Sequence, residues 1–130
     1  MPLVNTIYNR NSIVKFNRAI HNEGNHFNPG DSIFIAPYSG LYFFTWTVQS
    51  ASNKNSFTVL RVANVIKQKQ FVQFGASTGW FETTRDIICR VRKDDHVWIE
   101  TGERFTDNFF DNEETTNTAS SFMGFLLYKE

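Results

Sequence analysis

Five carboxylates fall within one short segment near the end of the chain, from Glu103 to Glu114. Carboxylate oxygens are the ligands that Ca²⁺ prefers in proteins, but this segment lacks the ligand and glycine positions of an EF-hand. Two interpretations therefore stay open: a calcium site held by Asp107, Asp111, Glu113 and Glu114, or an acidic loop that is simply solvated. Under either interpretation the chain requires no cofactor, and calcium is optional.

A second candidate site begins with two adjacent aromatic residues, Trp80 and Phe81, in a segment predicted to be a loop over residues 75–82. An exposed aromatic ring can stack on a sugar ring or seal a protein interface, whereas the alternative is a ring that folds back over the edge of the fold. Glu82 and Arg85 follow closely and could exchange hydrogen bonds with a ligand. These four residues are the candidate ligand-binding residues.

Residues that could perform catalysis follow no recognised pattern. His21, His26 and His96 have no zinc-site spacing relative to Cys89, and no nucleophile-elbow glycine pattern is present. Cys89 alternates with the charged Arg90 in an apolar segment, which is typical of a small buried hydrophobic residue. The sequence therefore predicts a protein that is not an enzyme.

The composition excludes two classes of partner. Thirteen basic and thirteen acidic side chains cancel, so no long-range field gathers nucleic acid. No apolar run approaches the ~20 residues of a membrane span, and the first residues contain no apolar core of signal-peptide length. A length of 130 residues suits one domain, which we place over residues 1–130.

Short segments rich in aromatic and β-branched residues alternate with turn residues, a pattern typical of an all-β sandwich or barrel. We expect eight to ten strands. The clearest are Val4–Ile7, Ile13–Phe16, Ile33–Ala36, Leu41–Val48, Phe57–Val62, Val65–Phe74, Thr83–Val91, His96–Thr101 and Phe122–Tyr128. Two longer loops are predicted, over residues 75–82 and 102–121.

The strand Leu41–Val48 carries large side chains on both faces. Leu41 and Phe43 face one way, with threonines after them, while Tyr42, Phe44, Trp46 and Val48 face the other. Neither face is suited to water, so one should pack in the core and the other should meet a second partner.

Three motifs together resemble the C1q globular domain family. The first is a set of spaced residues: Phe16, Asn22, Phe27, Asn28, Pro29, Phe34, Ala36, Pro37, Gly40, Tyr42 and Phe44. The second is Val91–Ile99, and the third is Ser120–Leu127. The chain departs from the family pattern in having Phe27 for a tyrosine, and Ser32 and Asp94 for glycines.

The resemblance implies a two-sheet jelly-roll sandwich of about ten strands, assembled as a secreted homotrimer. It further implies a non-enzymatic recognition module that binds carbohydrate or another repeated surface pattern, as in stand-alone C1q-domain lectins of innate immunity. The alternatives are a receptor-binding, cytokine-like protein ligand and a structural head that trimerises a longer matrix protein. Some relatives hold calcium near the trimer axis, but Asn55 and Asn64 stand where acidic residues are expected, which weakens that inherited site.

Overall fold

The computed structural model describes residues 5–16, 26–28, 30–51, 54–73, 80–105, 108–111 and 120–130. Within these ranges the chain is built of strands and contains no helix, so no helix of the described residues could cross a membrane. Ten strands follow one another: β1 Asn5–Tyr8, β2 Phe27–Asn28, β3 Ile33–Ile35, β4 Gly40–Ala51, β5 Asn55–Val62, β6 Val65–Gln73, β7 Trp80–Val91, β8 His96–Thr101, β9 Asn108–Asp111 and β10 Ser121–Lys129.

The strands form two sheets that face each other. The larger sheet has the order β1-β9-β5-β8-β3-β2, and β6 also pairs with β5. The smaller sheet has the order β10-β4-β7 and is antiparallel throughout. The prediction of an all-β, two-sheet jelly-roll sandwich is therefore confirmed.

The core lies between the sheets and is filled mainly from β4. Tyr42, Phe44 and Trp46 are buried, as the alternation of the strand predicted. The rings of Tyr42 and Phe44 stack at 5.9 Å, and Phe34 of β3 meets both rings edge-on from the opposite sheet. The indole N–H of Trp46 donates to the hydroxyl of Thr58 at 2.8 Å, so the polar atom of this buried ring is satisfied.

Two departures from the family's glycines are accommodated by the backbone. Ser32 and Asp94 both have positive φ, at 60° and 71°, which is the conformation that glycine adopts most easily. The buried Ser32 hydroxyl accepts the amide of Phe16 at 2.8 Å, and the Asp94 amide donates to the carbonyl of Ala36 at 2.8 Å. These bonds offset part of the left-handed penalty of about 1–2 kcal/mol per residue.

Several predicted boundaries are wrong. β7 begins at Trp80, so Trp80, Phe81 and Glu82 belong to a strand rather than a loop, because the twelve-residue β4 supplies a pairing partner as far as Ala51. The segment expected as a loop over residues 102–121 contains β9, which pairs with β1. Of the predicted strand Ile13–Phe16, only a single bridge from Ile13 to Glu100 forms.

Candidate functional site

The outward side of the smaller sheet carries a group of exposed apolar side chains. In the register, Phe43 of β4 lies opposite both Ile88 of β7 and Phe125 of β10, and Met123 lies opposite Thr45. Residues directly opposite each other share a face, so these side chains are adjacent. We call Phe43, Ile88, Met123 and Phe125 the outer apolar face.

The exposure of this face is unusual for a protein that acts alone. The Ile88 side chain is 59% exposed, and both Met123 and Phe125 are also exposed. The Phe43 and Phe125 rings pack against each other at 5.2 Å, which makes the apolar surface continuous across two strands. Contiguous exposed apolar patches mark interaction sites, so the face fits the second partner that the strand pattern predicted.

Polar and charged side chains lie at two ends of the outer apolar face. On the side nearer the start of β7, the hydroxyls of Thr47 and Thr84 share a hydrogen bond at 2.7 Å. On the side nearer the end of β7, Arg90 pairs with Glu130. An apolar centre with a polar rim is the arrangement found at protein–protein interfaces.

The four predicted ligand-binding residues all lie on β7. Trp80 and Phe81 pair with Ala51 and Ser50, but their side chains lie outside the part of the chain that the structure describes. Glu82 and Arg85 are both exposed, and strand alternation places them on opposite faces of β7. Their role in ligand binding stays a prediction.

Most of the predicted calcium ligands lie outside the described residues. Asp107, Glu113 and Glu114 are among these, and of Asp111 the structure gives only its place in β9, opposite Asn5. Within the described ranges, no three His, Cys, Asp or Glu side chains come together in a way that could hold a metal ion. The acidic segment thus remains a predicted site.

The two asparagines aligned with the family's calcium position lie far apart in one protomer. Asn55 begins β5, whereas Asn64 lies in the turn after the strand ends at Val62. Seven residue steps of extended strand separate Asn55 from Val62 by about 23 Å, and the turn that holds Asn64 lies beyond Val62. One protomer therefore does not bring the two asparagines together, and the weakening of the inherited site stays a prediction.

Cys89 behaves as the alternation in its strand predicted. Its side chain is half-buried and packs against the core. Burial raises the pKa of the Cys89 thiol, and the positive charge of Lys67 offsets this only in part. The thiolate is the reactive form of cysteine, so a raised pKa makes Cys89 a poor nucleophile near neutral pH.

A cleft beside the edge strand β6 was missed by the sequence reasoning. It encloses about 420 Å³, and we call it the cationic cleft after its main lining residues, Phe57, Lys69, Phe71, Arg85 and Arg104. These residues come from β5, β6, β7 and the segment that follows β8. The only usable signal was the pairing of β5 with β6, which places Phe57 opposite Phe71.

The fold is a jelly-roll sandwich with an exposed apolar face on its smaller sheet. Among solved structures, the globular domain of zebrafish complement 1qA has the same fold, with a TM-score of 0.73 over 96% of this chain and 91% of that chain at 17% identity. The model of the C1q domain family matches residues 3–127. The chain therefore belongs to the C1q domain family, whose members act as recognition and signalling modules rather than enzymes.

Three curated relatives give the level of similarity. Complement C1q tumor necrosis factor-related protein 7 of Mus musculus is 27% identical over 87% of this chain and 37% of its own length. Complement C1q and tumor necrosis factor-related protein 9A of Homo sapiens is 27% identical over 88% and 33%, respectively. Complement C1q tumor necrosis factor-related protein 2 of Mus musculus is 25% identical over 90% and 38%. This chain spans less than half of the length of each relative.

Proposed function

We propose that this chain assembles into a homotrimer that works outside the cell as a non-enzymatic recognition module. The observation that carries the proposal is the outer apolar face, which a lone protomer leaves in contact with water. Covering it with another copy of the chain removes apolar area from water at about 25 cal/mol per Å². The number three and the extracellular location come from membership of the C1q domain family.

A closed ring of three copies requires two different surfaces on each protomer, because each copy must present one surface to each neighbour. The outer apolar face supplies the first surface. Val65 and Ile66, at the start of β6 on the edge of the larger sheet, are also exposed and supply a second apolar surface. The proposed contact joins the outer apolar face of one protomer to this edge of the next.

Trimerisation gives a physical reason for recognising repeated surfaces. Three weak sites held at fixed spacing bind a repetitive target much more tightly than one site does, because the second and third binding events are intramolecular. We therefore propose carbohydrate, or another repeated surface pattern, as the target. Trp80, Phe81, Glu82 and Arg85 are the ligand-contacting residues that we propose on β7.

The names of the relatives favour one other function. All three are named for both complement C1q and tumor necrosis factor, which favours a cytokine-like protein that binds a receptor. Such a ligand would contact its receptor in the grooves between protomers, and free sugars would not compete. The chain would be a structural head instead if a longer protein used it only to trimerise.

Two measurements test the proposal. Sedimentation equilibrium at micromolar concentration should give three times the chain mass of 15.1 kDa, whereas a single-protomer mass would contradict assembly. A glycan array run beside a protein pull-down separates the two functions. Trp80→Ala should abolish binding to the glycans that the original protein binds on the array, without changing the trimer mass or the melting temperature. If the melting temperature falls instead, Trp80 packs in the fold or the interface.

Calcium is a secondary part of the proposal. Neutral amides at Asn55 and Asn64 are weak calcium ligands, so removing calcium with a chelator should leave the melting temperature unchanged. Calcium bound by the acidic segment would instead lower the melting temperature on chelation. Changing Asp107 and Asp111 to asparagine should remove that effect, and an effect that persists in this variant would place the ion elsewhere.

A further inference from the structure

We propose that the cationic cleft binds the acidic group of an anionic saccharide, with the sugar ring lying on Phe71. This inference rests on the proposed recognition function and specifies its ligand class. It also places the ligand beside β6, at residues that include Arg85 but otherwise differ from the group that the sequence predicted.

The cleft concentrates positive charge in a protein whose net charge is zero. Lys69, Arg85 and Arg104 line it, and none of the described lining residues is a carboxylate. Two arginines outside the cleft are paired: Arg61 with Glu100 at 3.0 Å, and Arg90 with Glu130. Three cations gathered without a carboxylate among them repel one another, and an anionic ligand would relieve this repulsion.

Arg104 is held in position by the two aromatic rings of the cleft. Its guanidinium carbon lies 5.2 Å from the centre of the Phe71 ring and 5.9 Å from that of Phe57. Phe57 is itself fixed, because it packs so closely on Gly102 that a Cβ there would overlap the ring. A guanidinium stacked in this way keeps its planar N–H edge for a carboxylate or sulfate, to which it can donate two parallel hydrogen bonds.

The rest of the cleft fits the neutral part of a sugar. The Phe71 side chain is 47% exposed, and its ring can cover the apolar C–H side of a pyranose. The hydroxyl side chains of Thr83 and Thr84 line the same space and match sugar hydroxyls as hydrogen-bonding groups. A volume of about 420 Å³ lies within the range of small-ligand sites.

The test uses the full chain and two forms of one probe. Hexagalacturonate carries a carboxylate on each ring, whereas its methyl ester has the same rings without the charge. Titration calorimetry should show binding of the acid and at least tenfold weaker binding of the ester, with the acid weakening as salt rises. A sulfated dextran hexasaccharide, which carries sulfates and no carboxylate, in a third arm distinguishes sulfate from carboxylate as the preferred group.

Matched variants locate the site. Arg104→Gln should weaken binding of the acidic hexasaccharide by about tenfold or more, since it removes charge-assisted hydrogen bonds. Arg92→Gln is the control: Arg92 is exposed, lies outside the cleft and gives the same change in net charge. The affinity of Arg92→Gln for the acidic hexasaccharide should stay within twofold of that of the original protein. Phe71→Thr should weaken binding of the hexasaccharide more than it weakens binding of inorganic sulfate, because sulfate has no sugar ring for Phe71 to cover.

Three results would overturn the proposal. One is equal weakening by Arg104→Gln and Arg92→Gln, which would show attraction to the whole protein rather than to the cleft. Another is the absence of binding by either acidic probe at millimolar concentration. The third is a lower trimer mass for Arg104→Gln, which would assign the cations to the contact between protomers. Since sedimentation reports the trimer and the array reports neutral glycans, failure of this site is distinguishable from failure of the proposed function.

Discussion

Replacing Ile88 by threonine tests whether the outer apolar face is the contact between protomers. Threonine keeps the β-branched shape that suits a strand, so folding of the protomer should change little. Ile35 on β3 offers a matched control, because it is also exposed, at 40% against 59% for Ile88, and lies on the other sheet. Ile35→Thr makes the same chemical change away from the proposed contact.

The size of the effect follows from the exposure of Ile88. Two carbons are lost, each worth about 0.8 kcal/mol when fully buried. Ile88 is 59% exposed in the single protomer. About 0.9 kcal/mol of this free energy is therefore gained only when a neighbouring protomer covers the side chain. A hydroxyl buried without a partner costs at least about 1 kcal/mol more. The total is about 2 kcal/mol per protomer and about 6 kcal/mol per trimer, or about four decades in the association constant. The protomer concentration at half-assembly scales as the inverse square root of the association constant and should rise about a hundredfold.

Sedimentation equilibrium over a wide concentration range measures this shift, and urea unfolding of the dissociated protomer checks that its fold is intact. Ile35→Thr should assemble like the original protein. If Ile88→Thr still assembles at the original concentration, the outer apolar face is not the contact. If both variants dissociate equally, the loss comes from a general effect on the fold.

Three further predictions concern stability. Gly124→Ala should lower the free energy of unfolding in urea by about 1–3 kcal/mol, since a Cβ there would overlap the buried ring of Phe44. Ala63→Gly should raise the melting temperature slightly, because the turn holds Ala63 at a φ of 49°. Burial raises the pKa of Tyr42 above 10.0 and that of Cys89 above 9.0, so the unfolded chain releases these protons first. The melting temperature should therefore hold below pH 9 and fall as pH rises through 10. A melting temperature that rises over this range would contradict the assignment.

The two-faced strand shows what local sequence can predict. Alternation along Leu41–Val48 predicted a buried face containing Tyr42, Phe44 and Trp46, and all three are buried. It also predicted a second apolar face, and Phe43 does lie in an exposed apolar group. Both predictions succeed because the direction of a side chain in a strand depends only on its position along that strand.

The predicted strand boundaries are wrong where pairing with a distant strand outweighs the local sequence pattern. The glycine and serine residues before Trp80 indicate a turn, but the start of β7 is set by its pairing with the end of β4, where Trp80 lies opposite Ala51. The short β9 has the same origin, since it forms opposite β1 from the other end of the sequence. Strand propensity depends on such partners, which a local window does not contain.

The cationic cleft could not be predicted from any local stretch of the sequence. Its two rings, Phe57 and Phe71, become neighbours only through the register of β5 with β6. Arg104 reaches them from a segment that the sequence marked for its acidic residues alone. A charge cluster that depends on three distant segments has no spacing to recognise, whereas the C1q motifs are compact enough to be found directly.

Strand β7 connects the proposed assembly to the proposed ligand site. Ile88 belongs to the outer apolar face and Arg85 to the cationic cleft, and three residue steps along a strand separate them by about 10 Å. Strand alternation turns Arg85 and Ile88 to opposite faces of β7, so the cleft and the outer apolar face lie on opposite sides of this strand, and a ring of three copies holds its three clefts at fixed spacing. A surface with one acidic saccharide gains little from this arrangement, whereas a surface with many can occupy two or three clefts at once. The gain from multivalency is lost if geometry forbids simultaneous binding. Dissociating the trimer with Ile88→Thr should thus leave the affinity for a single hexagalacturonate unchanged and greatly weaken binding to a surface coated with polygalacturonate.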